Sequence, residues 1–261
     1  ADAERLLEGM GIDRESVDAS IFVSQTPDYR MPATGSILQD RLGLGKSTMA
    51  FDVNLGCSGF IYGLSMAYAL VSSSGMRRVL LLNGETRSRA YSQQDRATGL
   101  LFADAGSAVL VERSECFGKS FFSLFSDGGR FEHIIIRSGG YRHPSSPESL
   151  KPERFDDGSV RHAEHGEMQG ASVFEFLLTE VPKSIRHTLE CADVDCAAVD
   201  FHVYHQANLF MNEHLRRRMK IPKEKMPYSL HDFGNTSSVS IPLTIVASLG
   251  SKLAQGNHRL L

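Results

Sequence analysis

The chain lacks tryptophan altogether, holds only four cysteines, and contains no long apolar run. The cysteines are widely spread, at Cys57, Cys116, Cys191 and Cys196, which speaks against a disulfide framework. No segment approaches the roughly 20 apolar residues that a membrane-spanning helix needs. The charged, helical opening of residues 1–5 is unlike a signal peptide. These absences lead us to expect a cytoplasmic protein.

An excess of charge of one sign is also missing. The formal net charge is -3 at pH 7, which gives no general attraction to nucleic acid or to an anionic membrane, and we expect neither as a partner. The hydrophobic fraction of 41% is ordinary for a globular protein, and 261 residues allow one large or two smaller domains.

A metal site is not expected. Cys191 and Cys196 precede His202 and His205 in the sequence, but this spacing fits no common zinc pattern.

The most informative stretch is residues 50–71. An apolar run is followed by Gly56-Cys57-Ser58-Gly59 and then by an uncharged segment, which predicts a strand, a sharp turn and a buried helix. Cys57 would then lie at a helix N-terminus, where backbone N–H groups and the helix dipole favour a thiolate nucleophile. The alternative is a buried structural cysteine.

Strands and helices are predicted to alternate along the chain. Predicted strands lie at residues 17–26, 50–55, 79–83, 121–125, 133–137, 199–205 and 225–230, and residues 100–111 predict a turn followed by a strand. Predicted helices lie at residues 1–10, 32–42, 60–71, 171–189, 208–220 and 239–253. Residues 139–166, rich in proline, serine, glycine and charge, predict a long surface excursion.

The two halves of the chain echo one another. Residues 17–25 resemble residues 199–206, and each copy ends in a glycine turn that opens a buried helix. Cys57 and Asn235 thereby occupy equivalent places, and His205 ends the strand beside the Asn235 turn. Packing of the copies about a pseudo-twofold axis would bring these three side chains to one site. For His205 alone, a buried histidine satisfied by its neighbours is the alternative.

This repeat predicts two domains. The N-terminal half, residues 1–116, would carry the nucleophile, and the C-terminal half, residues 117–261, would carry the histidine and the asparagine.

Six short motifs occur in an order and spacing that one known family shares. They are Cys57-Ser58-Gly59-Phe60, Asp95-Arg96-Ala97-Thr98, Leu101-Phe102-Ala103-Asp104, the segment from Met168 to Phe174, His205-Gln206-Ala207-Asn208, and the segment from Gly234 to Ser238. Together they resemble beta-ketoacyl-ACP synthase III. The resemblance implies a thiolase-like α/β fold, with two pseudo-repeated βαβ halves in α-β-α-β-α layers, and a homodimer.

The resemblance also implies a chemistry for the three central residues. Cys57 would take an acyl group from a coenzyme A thioester. His205 and Asn235 would bind the thioester carbonyl of malonyl-ACP and stabilise the enolate formed on loss of carbon dioxide. The carbanion would attack acyl-Cys57 to give 3-ketoacyl-ACP, a step of fatty acid or related biosynthesis.

Three further positions match the coenzyme A and pantetheine tunnel of the family: Arg96, Phe174 and Asn208. The implied partners are acyl-CoA and malonyl-ACP. Both the coenzyme A thioester and the phosphopantetheine arm are substrates, so no separate cofactor is expected.

Two features each allow two interpretations. Met31 matches a position near the dimer partner's acyl tunnel, or is a core methionine. The basic residues 214–220 either dock the acidic carrier protein or form a solvated helix face.

The sequence departs from the family pattern in several places. Ala103 and Ala105 replace glycines of the usual turn, and no tryptophan is present to stack on the adenine of coenzyme A. The sequence also starts inside an early helix of the pattern and stops before its final glycine-rich turn.

Other activities remain open at this stage. An acyltransferase of the same fold that makes an ester or amide would keep Cys57 and His205 but would have less need of Asn235. A thiolase would need a further cysteine near the C-terminus, and none follows Cys196. A cysteine hydrolase would need an open cleft, and a catalytically silent module would not need the three residues together.

Overall fold

The structure, a computed structural model, describes residues 1–72, 75–116 and 119–261. Its strands are β1 (Ala19–Val23), β2 (Met49–Val53), β3 (Arg78–Glu85), β4 (Ala105–Glu112), β5 (Ile134–Ile135), β6 (Glu153–Arg154), β7 (Val160–Arg161) and β8 (Glu167–Met168). Its α-helices are α1 (Asp2–Gly9), α2 (Thr34–Arg41), α3 (Gly59–Ser72), α4 (Arg87–Ala90), α5 (Gly170–Thr179), α6 (Val181–Ala192), α7 (Leu209–Arg218), α8 (Leu230–Phe233), α9 (Ser240–Thr244) and α10 (Gly250–Leu253). None of the helices formed by these residues is long and apolar enough to cross a membrane.

The chain divides into two compact units. Unit 1 consists of Ala1–Glu85, Ala105–Phe122 and Thr236–Gln255. Unit 2 consists of Thr86–Asp104, Ser123–Asn235 and Gly256–Leu261. The predicted division at residues 116 and 117 follows the sequence repeat rather than compactness, and it stays a prediction.

Unit 1 is built on a four-stranded sheet in the order β2-β1-β3-β4. The pairs of β1 with β2 and with β3 are parallel, whereas β4 runs antiparallel to β3. At the centre, Ile21 lies opposite both Phe51 and Leu81. The middle of each inner strand is apolar and mostly buried, as expected where both faces of a sheet are covered.

One face of this sheet carries an apolar cluster, to which α1 and the chain after α2 contribute. Its buried members are Ala3, Leu7, Val17, Leu42, Leu44, Leu80 and Leu82. Burial of each leucine here contributes roughly 1.5–3 kcal/mol. Because side chains alternate along a strand, Leu81 points to the opposite face, where α3 lies.

Helix α3 approaches that face through two glycines. A Cβ added to Gly63 would lie 2.6 Å from Leu81 Cδ1, and one added to Gly59 would lie 2.5 Å from Val23 Cγ1. Neither distance is possible for real atoms, so a side chain at either position would push the helix away from the sheet. Glycine at positions 59 and 63 therefore allows the first turns of α3 to lie directly against the sheet.

Unit 2 contains the helices α4 to α8. Its apolar cluster joins α5, α6 and α7 through the buried side chains Leu177, Ile185, Leu189, Val199, Met211 and Leu215. Two short antiparallel ribbons, β5 with β8 and β6 with β7, complete it. The second ribbon lies in residues 139–166, most of which are exposed or half-buried as the predicted surface excursion requires.

Three predicted strands are wrong. Residues 199–205 are extended but form only an isolated parallel bridge between Phe201 and Leu260, with Val203 N donating to Leu261 O at 2.7 Å. In residues 225–230, Pro227 has no N–H to give to a ladder, and the chain instead enters α8. Residues 121–125 form no strand either, and Phe121 and Phe125 are exposed.

Candidate active site

Cys57 lies in the turn between β2 and α3. The Gly59 N–H donates to Gly56 O at 2.7 Å, and Ile61 N and Tyr62 N both donate to Ser58 O, which begins the helix directly after the cysteine. Cys57 is therefore positioned at a helix N-terminus, as the sequence predicts. Because N–H groups and the positive end of the helix dipole concentrate there, the position favours a thiolate.

The Cys57 side chain is exposed. This contradicts the alternative that it is a buried structural cysteine. The close fit of Gly59 against Val23 holds the turn against the sheet while the thiol stays accessible.

His205 lies in unit 2, in the segment that leads into α7, and it is half-buried. Its carbonyl oxygen accepts from Ala207 N at 3.0 Å and from Asn212 Nδ2 at 3.1 Å, which ties the histidine to α7. The next side chain, Gln206, is fully buried, donates to Tyr204 O at 2.8 Å and accepts from Ser229 N at 3.2 Å. These bonds fix the backbone on both sides of the imidazole.

Asn235 is buried in the turn that follows α8. It pairs with Phe102 in a parallel bridge, in which Asn235 N donates to Leu101 O at 3.1 Å and Asn235 O accepts from Ala103 N at 2.9 Å. Gly234, before it, has a φ of 65°, which glycine adopts readily. The predicted glycine turn is confirmed.

The structure links Asn235 to the segment that carries His205. The side-chain Nδ2 of Asn235 donates to Ala207 O at 3.2 Å. The backbone N–H of Ala207 donates in turn to the carbonyl oxygen of His205. Both residues belong to unit 2, whereas Cys57 belongs to unit 1. Convergence of all three stays a prediction.

The three predicted substrate-binding residues all lie in unit 2. Arg96 is exposed, and its backbone N donates to Ser159 Oγ at 3.0 Å. Phe174 of α5 packs on α7, with its ring 5.3 Å from that of Phe210. Asn208 caps α7, because its Oδ1 accepts from Met211 N at 2.8 Å.

The basic segment 214–220 is not uniform. Arg216 donates to both carboxylate oxygens of Glu213 at 2.9 Å and to Ile221 O at 2.9 Å, so it serves the helix itself. Arg217 and Arg218 are exposed. The interpretation as a docking surface therefore applies to these two arginines and to Lys220, which is also exposed.

The residues of the rejected zinc pattern have other surroundings. His202 is buried, its Nδ1 lies 3.0 Å from the Tyr204 hydroxyl, and burial lowers its pKa. Cys191 is exposed, with its Sγ 3.5 Å from His187 Nε2. Among the residues that the structure describes, no three His, Cys, Asp or Glu side chains are grouped to hold a metal.

Sequence reasoning missed two polar groups. The buried carboxylate of Glu85, at the end of β3, accepts from Thr26 Oγ1 at 3.1 Å. The buried hydroxyl of Ser159 contacts the Arg96 backbone from the supposed surface excursion. Each contact joins residues about 60 positions apart, and no local pattern marks such pairs.

Two family models match the chain. The model described as 3-oxoacyl-(acyl-carrier-protein) synthase III matches residues 51–128, and the model of its C-terminal part matches residues 189–261. These matches contain Cys57, His205 and Asn235.

Named relatives agree with these models. A putative 3-oxoacyl-(acyl-carrier-protein) synthase 3 of Campylobacter jejuni is 35% identical over 247 residues, which cover 92% of this chain and 68% of that protein. A beta-ketoacyl-(acyl-carrier-protein) synthase III of Streptococcus agalactiae is 34% identical over 263 residues, covering 99% and 77%. A crystal structure of a 3-oxoacyl-(acyl-carrier-protein) synthase III is 36% identical with a TM-score of 0.94, covering 99% of this chain and 77% of that one. The predicted thiolase-like α/β fold class is confirmed.

Proposed function

Since the chain belongs to the 3-oxoacyl-(acyl-carrier-protein) synthase III family, we propose that it condenses an acyl-CoA with malonyl-ACP to give a 3-ketoacyl-ACP in fatty acid biosynthesis. The protein is an acyltransferase of the condensing type. The alternative that it forms an ester or amide is less favoured, because the named relatives are synthases of the carbon–carbon bond-forming kind.

The first step is acyl transfer to Cys57. The thiolate attacks the thioester carbonyl, a carbon–sulfur bond forms, and the bond to coenzyme A breaks, so that coenzyme A leaves as its thiolate and takes a proton from water. The N-terminal N–H groups of α3 favour both the thiolate and the oxyanion that forms during attack.

The second step is decarboxylation of malonyl-ACP. His205 and Asn235 donate hydrogen bonds to the thioester oxygen, which carries negative charge when carbon dioxide leaves. One such donor contributes about 3 kcal/mol to the transition state. The resulting carbanion attacks the carbonyl of acyl-Cys57, and the Cys57 thiolate departs. The shared contact of Asn235 and the His205 segment with Ala207 supports a joint role.

The observation that carries this proposal is the exposed Cys57 thiol at the start of α3. We expect incubation with a short acyl-CoA to add one acyl group, which peptide mass spectrometry locates on Cys57. The matched control is Cys191→Ser, because Cys191 is the exposed thiol with a histidine beside it. Acyl label on Cys191 or Cys116, with none on Cys57, would refute the proposal.

Substrate binding is assigned to three residues. Arg96, with its exposed guanidinium, would contact the coenzyme A thioester, and Phe174 and Asn208 would line the pantetheine path along α5 and α7. Both substrates bring their own thiol-bearing arm, so we propose no added cofactor or metal. Full activity after exhaustive dialysis against EDTA would support this.

We further propose a cytoplasmic homodimer that binds neither nucleic acid nor membrane. Met31 is 85% exposed, which rules out the core alternative and suits a contact with a partner subunit. The net charge of -3 offers no attraction to nucleic acid or anionic lipid. Light scattering behind a sizing column measures the dimer, and cell fractionation measures the location.

A further inference from the structure

The Arg96 turn, residues 92–99, is held by the ribbon of β6 and β7 within unit 2. Val160 N donates to Gln94 O at 3.0 Å, and Ser92 Oγ donates to Val160 O at 2.5 Å. The ribbon therefore continues onto the turn as a short run of hydrogen bonds. The motif Asp95-Arg96-Ala97-Thr98 alone does not predict these hydrogen bonds, because their partner Val160 lies more than 60 residues later in the chain.

Ser159 lies at the centre of the contact and is completely buried. Its Oγ accepts from Arg96 N at 3.0 Å and donates to Asp157 Oδ2 at 3.0 Å. The other carboxylate oxygen, Asp157 Oδ1, accepts from Ser159 N at 2.9 Å. Because the hydroxyl proton goes to Asp157, the lone pairs of Ser159 face the Arg96 N–H in a fixed direction.

Asp157 is suited to hold this hydroxyl. The backbone and side-chain hydrogen bonds from Ser159, aided by the charges of Arg161 and Arg96, lower the pKa of its carboxyl. Asp157 therefore remains an ionised acceptor throughout the neutral range.

Because Gly158 has no side chain, the Arg96 side chain can lie against its backbone. Its φ of 83° suits glycine, and a Cβ added there would lie 3.5 Å from Arg96 Cζ. The guanidinium therefore lies directly over the bare backbone of Gly158, while remaining exposed to solvent.

The buried side chain of Asp95 holds the same turn through further hydrogen bonds. Asp95 is buried, its Oδ1 accepts from Ala97 N at 2.8 Å, and its Oδ2 lies 3.3 Å from Arg161 Nη1. The Arg161 guanidinium stacks over the Phe155 ring at 3.7 Å. Both flanks of Arg96 are thus fixed, and only its guanidinium is presented outward.

We propose that Ser159, oriented by Asp157, is a positioning residue that presents the Arg96 guanidinium to the phosphate-bearing nucleotide end of the acyl-CoA substrate. This inference rests on the proposed function. A guanidinium recognises phosphate oxygens through paired N–H donors, so its direction determines the strength of the contact.

The test measures the KM and kcat of Cys57 acylation with acyl-CoA and with acyl-pantetheine, which lacks the nucleotide. Ser159→Ala should raise the KM for acyl-CoA about tenfold, within the range of coupling between contacting residues. The kcat, and the KM for acyl-pantetheine, should stay unchanged. Ser145→Ala, an exposed serine of the same segment, is the matched control and should change neither.

A double-mutant cycle separates positioning from a general structural role. If Ser159 acts through Arg96, Ser159→Ala in an Arg96→Ala background should add almost nothing. Asp157→Asn keeps one acceptor oxygen at a more exposed site, and it should give a smaller rise, about threefold, in the KM for acyl-CoA. This second variant keeps the test decisive if Ser159→Ala does not fold.

The outcomes are distinct. Equal KM rises for both thioesters, or effects of Ser159→Ala and Arg96→Ala that multiply, would overturn the positioning role. An effect of Arg96→Ala without one of Ser159→Ala or Asp157→Asn would overturn this inference alone. No effect of Arg96→Ala on acyl-CoA would instead overturn the assignment of Arg96 in the proposed function, and the inference with it.

Discussion

Asn235 is fixed on three sides before any substrate arrives. Its backbone pairs with Leu101 and Ala103, and its side chain donates to Ala207 O. An amide held in this way loses little freedom when it binds a developing enolate oxygen, which is the condition under which an oxyanion donor is effective.

Asn235→Ala should therefore lower carbon dioxide release from malonyl-ACP by about a hundredfold, the usual cost of losing one oxyanion donor. Acylation of Cys57 by acyl-CoA should continue at a comparable rate, because that step needs only the thiolate and its own oxyanion hole. Radiolabelled carbon dioxide release and mass spectrometry of the acyl-enzyme measure the two steps.

The control for this experiment is Asn257→Ala, an exposed asparagine of unit 2. Loss of acylation in Asn235→Ala, with an unchanged melting curve, would contradict the assignment. Asn235 would then orient the nucleophile, and the protein would be better described as a Cys-His-Asn acyltransferase or hydrolase.

The residues of the candidate site could be proposed from sequence because each stands in a short motif with a distinctive turn. Cys57 follows Gly56 and Asn235 follows Gly234, and a glycine at such a position predicts the turn that presents each side chain. Ser159 and Glu85 carry no such mark. Their importance comes from burial and from partners far away in the chain, namely Arg96 and Thr26, which only the folded protein reveals.

At the scale of elements, α7 separates two kinds of arginine. Arg216 is hydrogen-bonded to Glu213 and Ile221 O, whereas Arg217, with its Nε 3.7 Å from Glu213 Oε2, and Arg218 are exposed. Long-range attraction to an acidic carrier protein depends on the exposed charges, and salt screens it.

The double variant Arg217→Glu/Arg218→Glu should raise the KM for malonyl-ACP about tenfold at low salt, with a smaller effect at high salt, because attraction becomes repulsion. Acylation by acyl-CoA should be unaffected. Steady-state kinetics at two ionic strengths measure both. Arg142→Glu/Arg186→Glu, two exposed charges elsewhere in unit 2, is the control. Equal losses in both steps would point to a folding role for this helix face.

Glu213 gives α7 a pH dependence of its own. Hydrogen bonds from Arg216 and from the Tyr228 hydroxyl lower the pKa of its carboxyl to about 2, from 4.5. A lowered pKa in the folded state means that the stabilisation is complete above pH 4.5 and is lost as the pH falls toward 2.

Glu213→Gln should therefore lower the Tm at pH 7, and the difference from the parent protein should shrink steadily as the pH approaches 2. Thermal unfolding followed by circular dichroism across this range measures it. Glu224→Gln, at an exposed carboxylate close in sequence, is the control variant. A difference for Glu213→Gln that stays constant across this range would show that the ion pair does not contribute.

Helices were easier to predict than strands for a physical reason. An amphipathic or uncharged helix such as α3 forms its backbone hydrogen bonds within one segment, so the sequence of that segment is enough to predict the helix. A strand needs a neighbour. Residues 199–205 have the composition of a strand, yet their backbone N–H groups donate to Lys225 O, Arg259 O and Leu261 O and form no regular ladder with a neighbouring strand.

At the scale of the whole molecule, a segment late in the chain belongs to the same compact unit as the N-terminal segment. Unit 1 begins with Ala1–Glu85 and is completed by Thr236–Gln255, after most of unit 2 has intervened. The sequence repeat predicted two successive halves, and nothing in hydrophobic periodicity reveals that a late segment joins an early one. Fold class could be predicted from motifs, but this interleaving could not.

The late position of Thr236–Gln255 also has a consequence for synthesis on the ribosome. Ser238, beside Gly59, and Val239, fully buried, are among the last residues of unit 1 to be made. Until they emerge, a nascent chain that has already formed β1, β2 and β3 leaves apolar surface of α3 and the sheet uncovered. Such a chain must wait through the translation of unit 2 before this apolar surface is covered, an interval in which chaperones compete with self-association.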